Sequence, residues 1–472
     1  MRVKDSMSGA MVEVGESSGL SFYICGPTVY DHIHVGNARA PLFWDVVARY
    51  AKSRGYDVTF VQNITDIEDK IIARANQEGV SWQEIVRRYT DSFHERLEML
   101  GIRMPDIEPR ATEHIPEMIS LIEELMERGH AYAPEEAGGD VYYAVESFPS
   151  YGALSHQRPE EMRETEKGHT GFKRSPLDFA LWKASKPGEP TWESPWGPGR
   201  PGWHIECSAM VSKHLPDGAD IHGGGTDIRF PHHENELAQS KGANPDHAFV
   251  RAWAHNGMVR FGAGEKMAKS VGNVVDVKDA VDLHGPHAIR MWLLQSHYTQ
   301  PIDYSDEILE EKRRSYERLM RLYLQFSGSH TSSELSDTMA ASLRESFDAA
   351  MQDDLNTPEA IAKLFEVAGR AGREISTRPE AADEFGSLAA AIEEVLTILG
   401  FDLAQEQSTL VEDVCIRYSK DPGAEVLERV AAREKARLEK DWATADRLRE
   451  ELHSDGWVVE DTPEGPILAA GN

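Results

Sequence analysis

Basic residues are scarce beside acidic ones: 50 Lys and Arg stand against 80 Asp and Glu, a formal net charge of −30. That balance excludes a protein that coats nucleic acid through bulk charge. A local basic strip for an RNA partner stays compatible with it, because binding follows the distribution of charge. Cysteine is rarer still. Cys25, Cys207 and Cys415 form an odd, sparse set that excludes a disulfide framework and suits a reducing compartment. No apolar run approaches the ~20 residues of a membrane-spanning helix. The leading MRVKDSMSGAMVEVGESSG is polar and lacks the apolar centre of a signal peptide. The expectation is a cytoplasmic enzyme without a membrane partner. Also missing is Gly-x-x-x-x-Gly-Lys-Ser/Thr, so any ATP must be held without a P-loop.

What is present points to a multidomain α/β chain. At 472 residues it exceeds one compact core, and domains of ~100–200 residues imply three or four. SFYIC (21–25) reads as a buried strand ending in a Gly26–Pro27 turn, Ala38–Ala51 has helical spacing, and YDVTFVQNIT (56–65) reads as a second strand. Strand, helix, strand at this spacing predicts a βαβ unit in a Rossmann-like parallel sheet. The expected layout is a first half of the sheet domain (1–130), an insertion (131–199), a second half (200–256) and a lysine-loop region (257–315). A helical domain (316–405), a linker (406–423) and a small C-terminal domain (424–472) follow. Within it, GWHIE (202–206) reads as a strand, and 306–326, 340–375 and 385–400 as amphipathic helices.

Four motifs carry chemistry. CGPTVYDHIHVGNAR (25–39) lies where the first strand gives way to the first helix, a place where backbone N–H groups and the helix dipole favour phosphate. EKMAKS (265–270) sets two lysines beside small residues, a loop able to neutralise charge in adenylyl chemistry or simply a solvated turn. Cys25, Cys207, His232 and Glu236 are all zinc-ligand types, and His232 and Glu236 share a helix face at i, i+4. Spacing alone leaves open two buried cysteines and a helical His–Glu bond. DIHGGGTD (220–227) lets backbone approach a ligand closely, with Asp227 at its end, and a plain tight turn is the alternative.

Together these motifs resemble the class I aminoacyl-tRNA synthetases, and within them the cysteinyl-tRNA synthetase family. His34-Val35-Gly36-Asn37 resembles the HIGH signature, and Lys266-Met267-Ala268-Lys269-Ser270 the KMSKS loop. NITDIEDKII (63–72), the Trp-rich run 178–210, DIHGGGTDIRFPHHENELAQS (220–240) and DDLNTPEAIA (353–362) resemble the cysteine-specific members. The resemblance covers the chain from about residue 21 onward.

It implies activation of L-cysteine by ATP with Mg²⁺, then transfer to the 3′-terminal adenosine of cysteine tRNA, by a monomer. His34, Asn37, Lys266 and Lys269 would be catalytic, with Thr28 and Gly36 also on ATP. One zinc ion would bind Cys25, Cys207, His232 and Glu236. Gly26, Thr65, Trp203 and Asp227 would hold the cysteine. The helical domain would contact tRNA, and Arg437, Asp446, Arg449 and Asp461 would read the anticodon. Three departures stand out: Asn37 replaces the last histidine of HIGH, Ala268 replaces a serine, and the N-terminus lacks a strand-like stretch. A cysteine ligase acting on an amino sugar and a non-catalytic RNA-binding paralogue are the rival readings.

Overall fold

The computed structural model describes all residues except 16–18, 160–161, 163–171, 262–264, 268–271, 402–406, 412–413, 419–421, 463–464 and 471–472. Strand Gly19–Ile24, helix Arg39–Ser53 and strand Asp57–Gln62 form the expected unit, with Phe22 opposite Phe60. Phe22, Tyr23 and Ile24 are all buried, the continuous apolar run of a strand covered on both faces. In the helix, Leu42, Phe43, Val46, Val47 and Tyr50 bury one stripe. Strands Ala219–Gly225 and Val250–Asn256 complete a parallel sheet in the order 250–256, 219–225, 19–24, 57–62. Strand 19–24 thus has neighbours that leave it in opposite directions. A crevice opens beyond the carboxyl ends of strands at such a reversal.

The insertion is a four-stranded antiparallel sheet of Ala131–Tyr132, Val141–Tyr143, Phe179–Ala184 and Gly199–Pro201. Asp69 joins it to the body by pairing with Lys183 at 3.0 Å and with Arg200.

Local reading fails at four places. GWHIE is not a strand: Trp203–His214 is a helix, and every residue from His204 to Val211 is buried. A helix buried all round has no polar face, so its period is invisible in the sequence. The N-terminus does contain strands, Arg2–Lys4 paired with Met11–Glu13. Its turn covers the edge strand 250–256: Ser6 N–H donates to Trp253 O at 2.8 Å and Trp253 N–H to Asp5 Oδ1 at 2.9 Å. The stretch 340–375 is two helices, Glu334–Gln352 and Thr357–Thr377. Between them Asp354 and Leu355 take φ of 58° and 54°, which a right-handed helix excludes. Finally, the supposed linker holds strands Gln407–Val411 and Val414–Tyr418. Val414–Tyr418 pairs in turn with Gly465–Ala470, too remote in sequence for local composition to reveal.

The chain divides into two compact units, Met1–Glu317 with Ser342–Val367, and Arg318–Ala341 with Ala368–Asn472. In the second, helices Ala424–Leu438 and Trp442–Ser454 join a four-stranded sheet closed by Trp457–Thr462. Ile416, Leu427, Val430, Leu452 and Leu468 form its core.

Candidate active site and metal centre

A cleft of about 580 Å³ lies at the strand-order reversal. Of the expected ligand-binding residues, Cys25, Gly26, Thr28, His34, Gly36, Asn37, Trp203 and Asp227 line it. Gly26 is forced by packing: its N–H donates to Asn63 Oδ1 at 2.9 Å, and a Cβ there would fall 1.5 Å from Asn63 O. At Gly36 a Cβ would meet the His34 ring at 2.9 Å and push that side chain aside.

That closeness fixes the histidine. Gly36 N–H donates to His34 Nδ1 at 3.1 Å, so in the neutral ring Nε2 carries the proton and is a donor. His34 N–H donates to Asn37 Oδ1 at 3.2 Å, which orients the amide and reserves Nδ2 as its donor. Both sit one turn before helix Arg39–Ser53, where the dipole favours an anion. Strand Glu265–Lys266 pairs with Val259–Phe261, and Met267, buried, also lines the cleft. The side chain of Lys266, and Lys269 altogether, lie outside the described residues. Thr65 is not on the cleft wall. It is buried, accepts from Asn63 Nδ2 at 3.2 Å, and its backbone stitches loop 27–29 to the sheet.

Beneath Cys25 the four expected metal ligands converge. Cys25 Sγ lies 3.7 Å from Cys207 Sγ and 3.7 Å from Glu236 Oε1, and His232 Nε2 lies 3.1 Å from Glu236 Oε1. Tetrahedral zinc, with bonds of ~2.0–2.3 Å, spaces its donors ~3.4–3.8 Å apart. Cys207, His232 and Glu236 are 0–1% exposed, and Glu236 Oε2 accepts no hydrogen bond. A buried carboxylate beside two thiols is costly without a cation to pair with it, and its Oε1 is the oxygen that faces Cys25 and His232. The donor set therefore fits zinc.

Charge within the cluster is divided unevenly. Burial would raise the Cys207 thiol, but its hydrogen bond with Cys25 and the nearby His232 bring it down to about 6. Burial pushes the Cys25 thiol well up, and its bond to Cys207 adds to that. Burial opposes charge on His232, yet Glu236 and Cys207 hold its pKa above the ordinary value.

Two residues position the ligand helix Glu234–Ala243. Glu234, fully buried, accepts Gly152 N–H at 2.8 Å and Ser155 N–H at 2.7 Å, while Asn235 accepts the Tyr151 hydroxyl. Trp203 stacks on His232 with ring centroids 4.2 Å apart. Sequence reasoning missed His222 and His233, whose Nε2 atoms lie 3.6 and 3.3 Å from Cys25 Sγ. The alternation of strand 219–225 carried the signal for His222, because His222 projects to the face opposite Ile221 and Gly223.

Residues 11–314 match the model of the tRNA synthetases class I (C) catalytic domain, 346–404 the DALR domain, and 423–465 the cysteinyl-tRNA ligase anticodon binding domain. The chain is 70% identical over 470 residues to the cysteine–tRNA ligase of Rubrobacter xylanophilus, covering 99% of both. It belongs to the cysteinyl-tRNA synthetase family. Another member, the cysteine–tRNA ligase of Alkalilimnicola ehrlichii, is 48% identical over 454 residues, 94% of this chain and 93% of its own. At the level of fold, the chain is similar to Mycobacterium tuberculosis methionyl-tRNA synthetase in complex with methionyl-adenylate: TM-score 0.62, 18% identity, 81% and 90% coverage. A cysteinyl-tRNA synthetase anticodon domain sets the amino-sugar ligase aside.

In that domain Asp461 accepts from Arg433 Nη2 at 3.0 Å and from Arg437 Nη1 at 2.9 Å. The hydrogen bond from Arg433, joined by the charges of Arg437 and Arg449, lowers its pKa. Arg449 and Asp446 are exposed on helix Trp442–Ser454. No helix among the described residues is long and apolar enough to cross a membrane.

Proposed function

We propose that this cysteine–tRNA ligase forms cysteinyl-adenylate in the cleft above Cys25 and passes the cysteinyl group to cysteine tRNA. The cysteine carboxylate attacks the α-phosphorus of ATP, pyrophosphate leaves, and the 2′-hydroxyl of the terminal adenosine then attacks the acyl carbon, releasing AMP; Mg²⁺ arriving with ATP would offset phosphate charge. His34 Nε2–H, Asn37 Nδ2 and Lys266 and Lys269 stabilise charge moving onto the phosphates. Asp227 holds the substrate ammonium, and Gly26 and Trp203 shape its pocket with Thr65 behind them.

Cys25, Cys207, His232 and Glu236 would hold one zinc ion per chain. When bound it supplies a borderline-soft acid that prefers thiolate to hydroxyl. A polar contact of this kind can reject serine by ~10⁴–10⁵ without editing. Arg437, Asp446, Arg449 and Asp461 read the anticodon. The chain works as a monomer in the cytoplasm, where ATP and tRNA are available.

The carrying observation is the buried four-ligand cluster whose outermost sulfur, Cys25, forms part of the cleft wall. Cysteine-dependent ATP–pyrophosphate exchange, followed by charging of cysteine tRNA, tests the reading. Both should be strong in the native chain and lost in Cys207→Ser. Full activity in that variant would refute the zinc role.

A further inference from the structure

Cys25 and Glu236 belong to two ligand sets. One adds Cys207 and His232, the other His222 and His233, and in each the donor atoms lie within 4.8 Å of one another. We propose that the cavity holds a second position for the same ion, bounded by Cys25, His222, His233 and Glu236, to which the ion can withdraw from the Cys207–His232 side. The inference rests on the zinc reading above.

The spacing of the second set is that of ligands. Cys25 Sγ lies 3.6 Å from His222 Nε2 and 3.3 Å from His233 Nε2; His222 Nε2 lies 3.5 Å from Glu236 Oε2, and His233 Nε2 4.0 Å from Oε1. Three of these four fall within a few tenths of the ~3.4–3.6 Å expected around tetrahedral zinc. Glu236 faces both ways, Oε1 toward His232 and Oε2 toward His222. Oε2, buried and without a hydrogen bond, is the atom the first set leaves unused.

His233 is prepared to ligate. Its Nδ1 lies 2.9 Å from His255 Nε2, and His255 Nδ1 lies 2.9 Å from Ser6 Oγ. When His255 Nδ1–H donates to Ser6 Oγ, its Nε2 accepts from His233 Nδ1–H, and the His233 Nε2 lone pair then faces the cavity, the usual support of a metal-bound histidine. With Cys25 and Glu236 shared, the proposal is one ion with two positions; two zinc ions per native chain, bridged by these ligands, would overturn it. The positions differ in chemistry and access. The first offers two sulfurs, and the cleft reaches it through Cys25 and Trp203. The second offers one sulfur and two imidazoles. Of the five side chains besides Cys25 none lines the cleft, but Trp203, which does, stacks on His232 of the first set, so an ion at the second position has left the side of the cavity next to that wall.

Zinc-loaded His232→Asn, with both cysteines intact, decides the matter by X-ray absorption. Withdrawal gives one sulfur and two nitrogen neighbours. Two sulfurs would overturn the proposal while leaving the zinc reading in place. Cys207→Ala is the second variant: it should keep about one zinc per chain after dialysis although cysteine activation is lost, and a metal-free protein would overturn the proposal. Adding His222→Asn to either variant should lower zinc affinity about tenfold or more, and unchanged affinity would count against it. Absence of zinc from the native chain would instead sink the underlying reading.

Discussion

Glu234→Gln tests whether the metal site depends on a clamp outside it. Both Glu234 oxygens accept backbone N–H groups, from Gly152 and Ser155, at 2.8 and 2.7 Å with no solvent access. A hydrogen bond to a charged group contributes ~1.5–3 kcal/mol, and an unsatisfied buried donor costs ~1–3 kcal/mol. Glutamine keeps one acceptor and turns the other atom into a donor that faces an N–H. The expected loss is about 2–4 kcal/mol, below a typical stability of ~5–15 kcal/mol, so the protein stays folded. The strain falls on the start of helix 234–243, beside His232 and Glu236. Zinc affinity should therefore drop about 10–100-fold, the usual effect of losing an outer-shell support. Urea unfolding of the zinc-loaded protein and chelator competition read the two effects. A variant with native midpoint and native affinity would refute the clamp.

Zinc affinity should rise with pH, because thiolates and neutral imidazole bind the ion. Above the Cys207 value of about 6 the protons still to be displaced are those of Cys25 and of His232, both of whose pKa values are raised; below it Cys207 must lose its proton too. The pH dependence should steepen below about pH 6, and chelator competition across pH 5–9 measures it; a flat profile would contradict the proton assignment. The lowered Cys207 pKa by itself adds stability that is full above about 9 and lost as pH falls through about 6. Gly26→Ala cannot place its Cβ beside Asn63 O, so it should lower stability by about 3 kcal/mol or more and abolish pyrophosphate exchange; a native melting curve would disprove the close approach. His34→Ala should reduce exchange turnover ~10²–10³-fold with little change in the KM for cysteine, and a pure KM effect would reassign it to substrate binding. Arg437→Ala should lower tRNA charging about tenfold and leave exchange intact, and an equal loss of both would place it outside anticodon reading.

The sheet and the cleft were legible because their signals are local. Phe22–Ile24 and the Gly26–Pro27 turn mark a strand end, and Leu42 to Tyr50 mark the following helix. The candidate ligand set was legible as residue types, with i, i+4 spacing for His232 and Glu236, but its closure was not: Cys25 and Cys207 meet only because strand 19–24 and helix 203–214 converge. Helix 203–214 was misread because it has no exposed face to carry a period. Strands 407–411 and 414–418 were misread because the hairpin joins a sheet only through the pairing of 414–418 with residues 465–470. His222 and His233 were not read as ligands because their approach to Cys25 and Glu236 depends on strand 219–225 and helix 234–243 meeting there. The Arg433–Asp461–Arg437 network likewise exists only once helix 424–438 meets strand 457–462.

The turn at Asp5 and Ser6 has a consequence for handling the protein. Strand 250–256 is the outer strand of the parallel sheet, and its unpaired N–H and C=O groups could template another chain. Two bonds at Trp253 block that edge in the native fold. Trimming the first six residues, or a bulky fusion that pulls them away, would leave the edge bare and remove Ser6 from His255. Aggregation in the test tube and a weakened grip on the metal would then share one origin, some distance in sequence from either symptom.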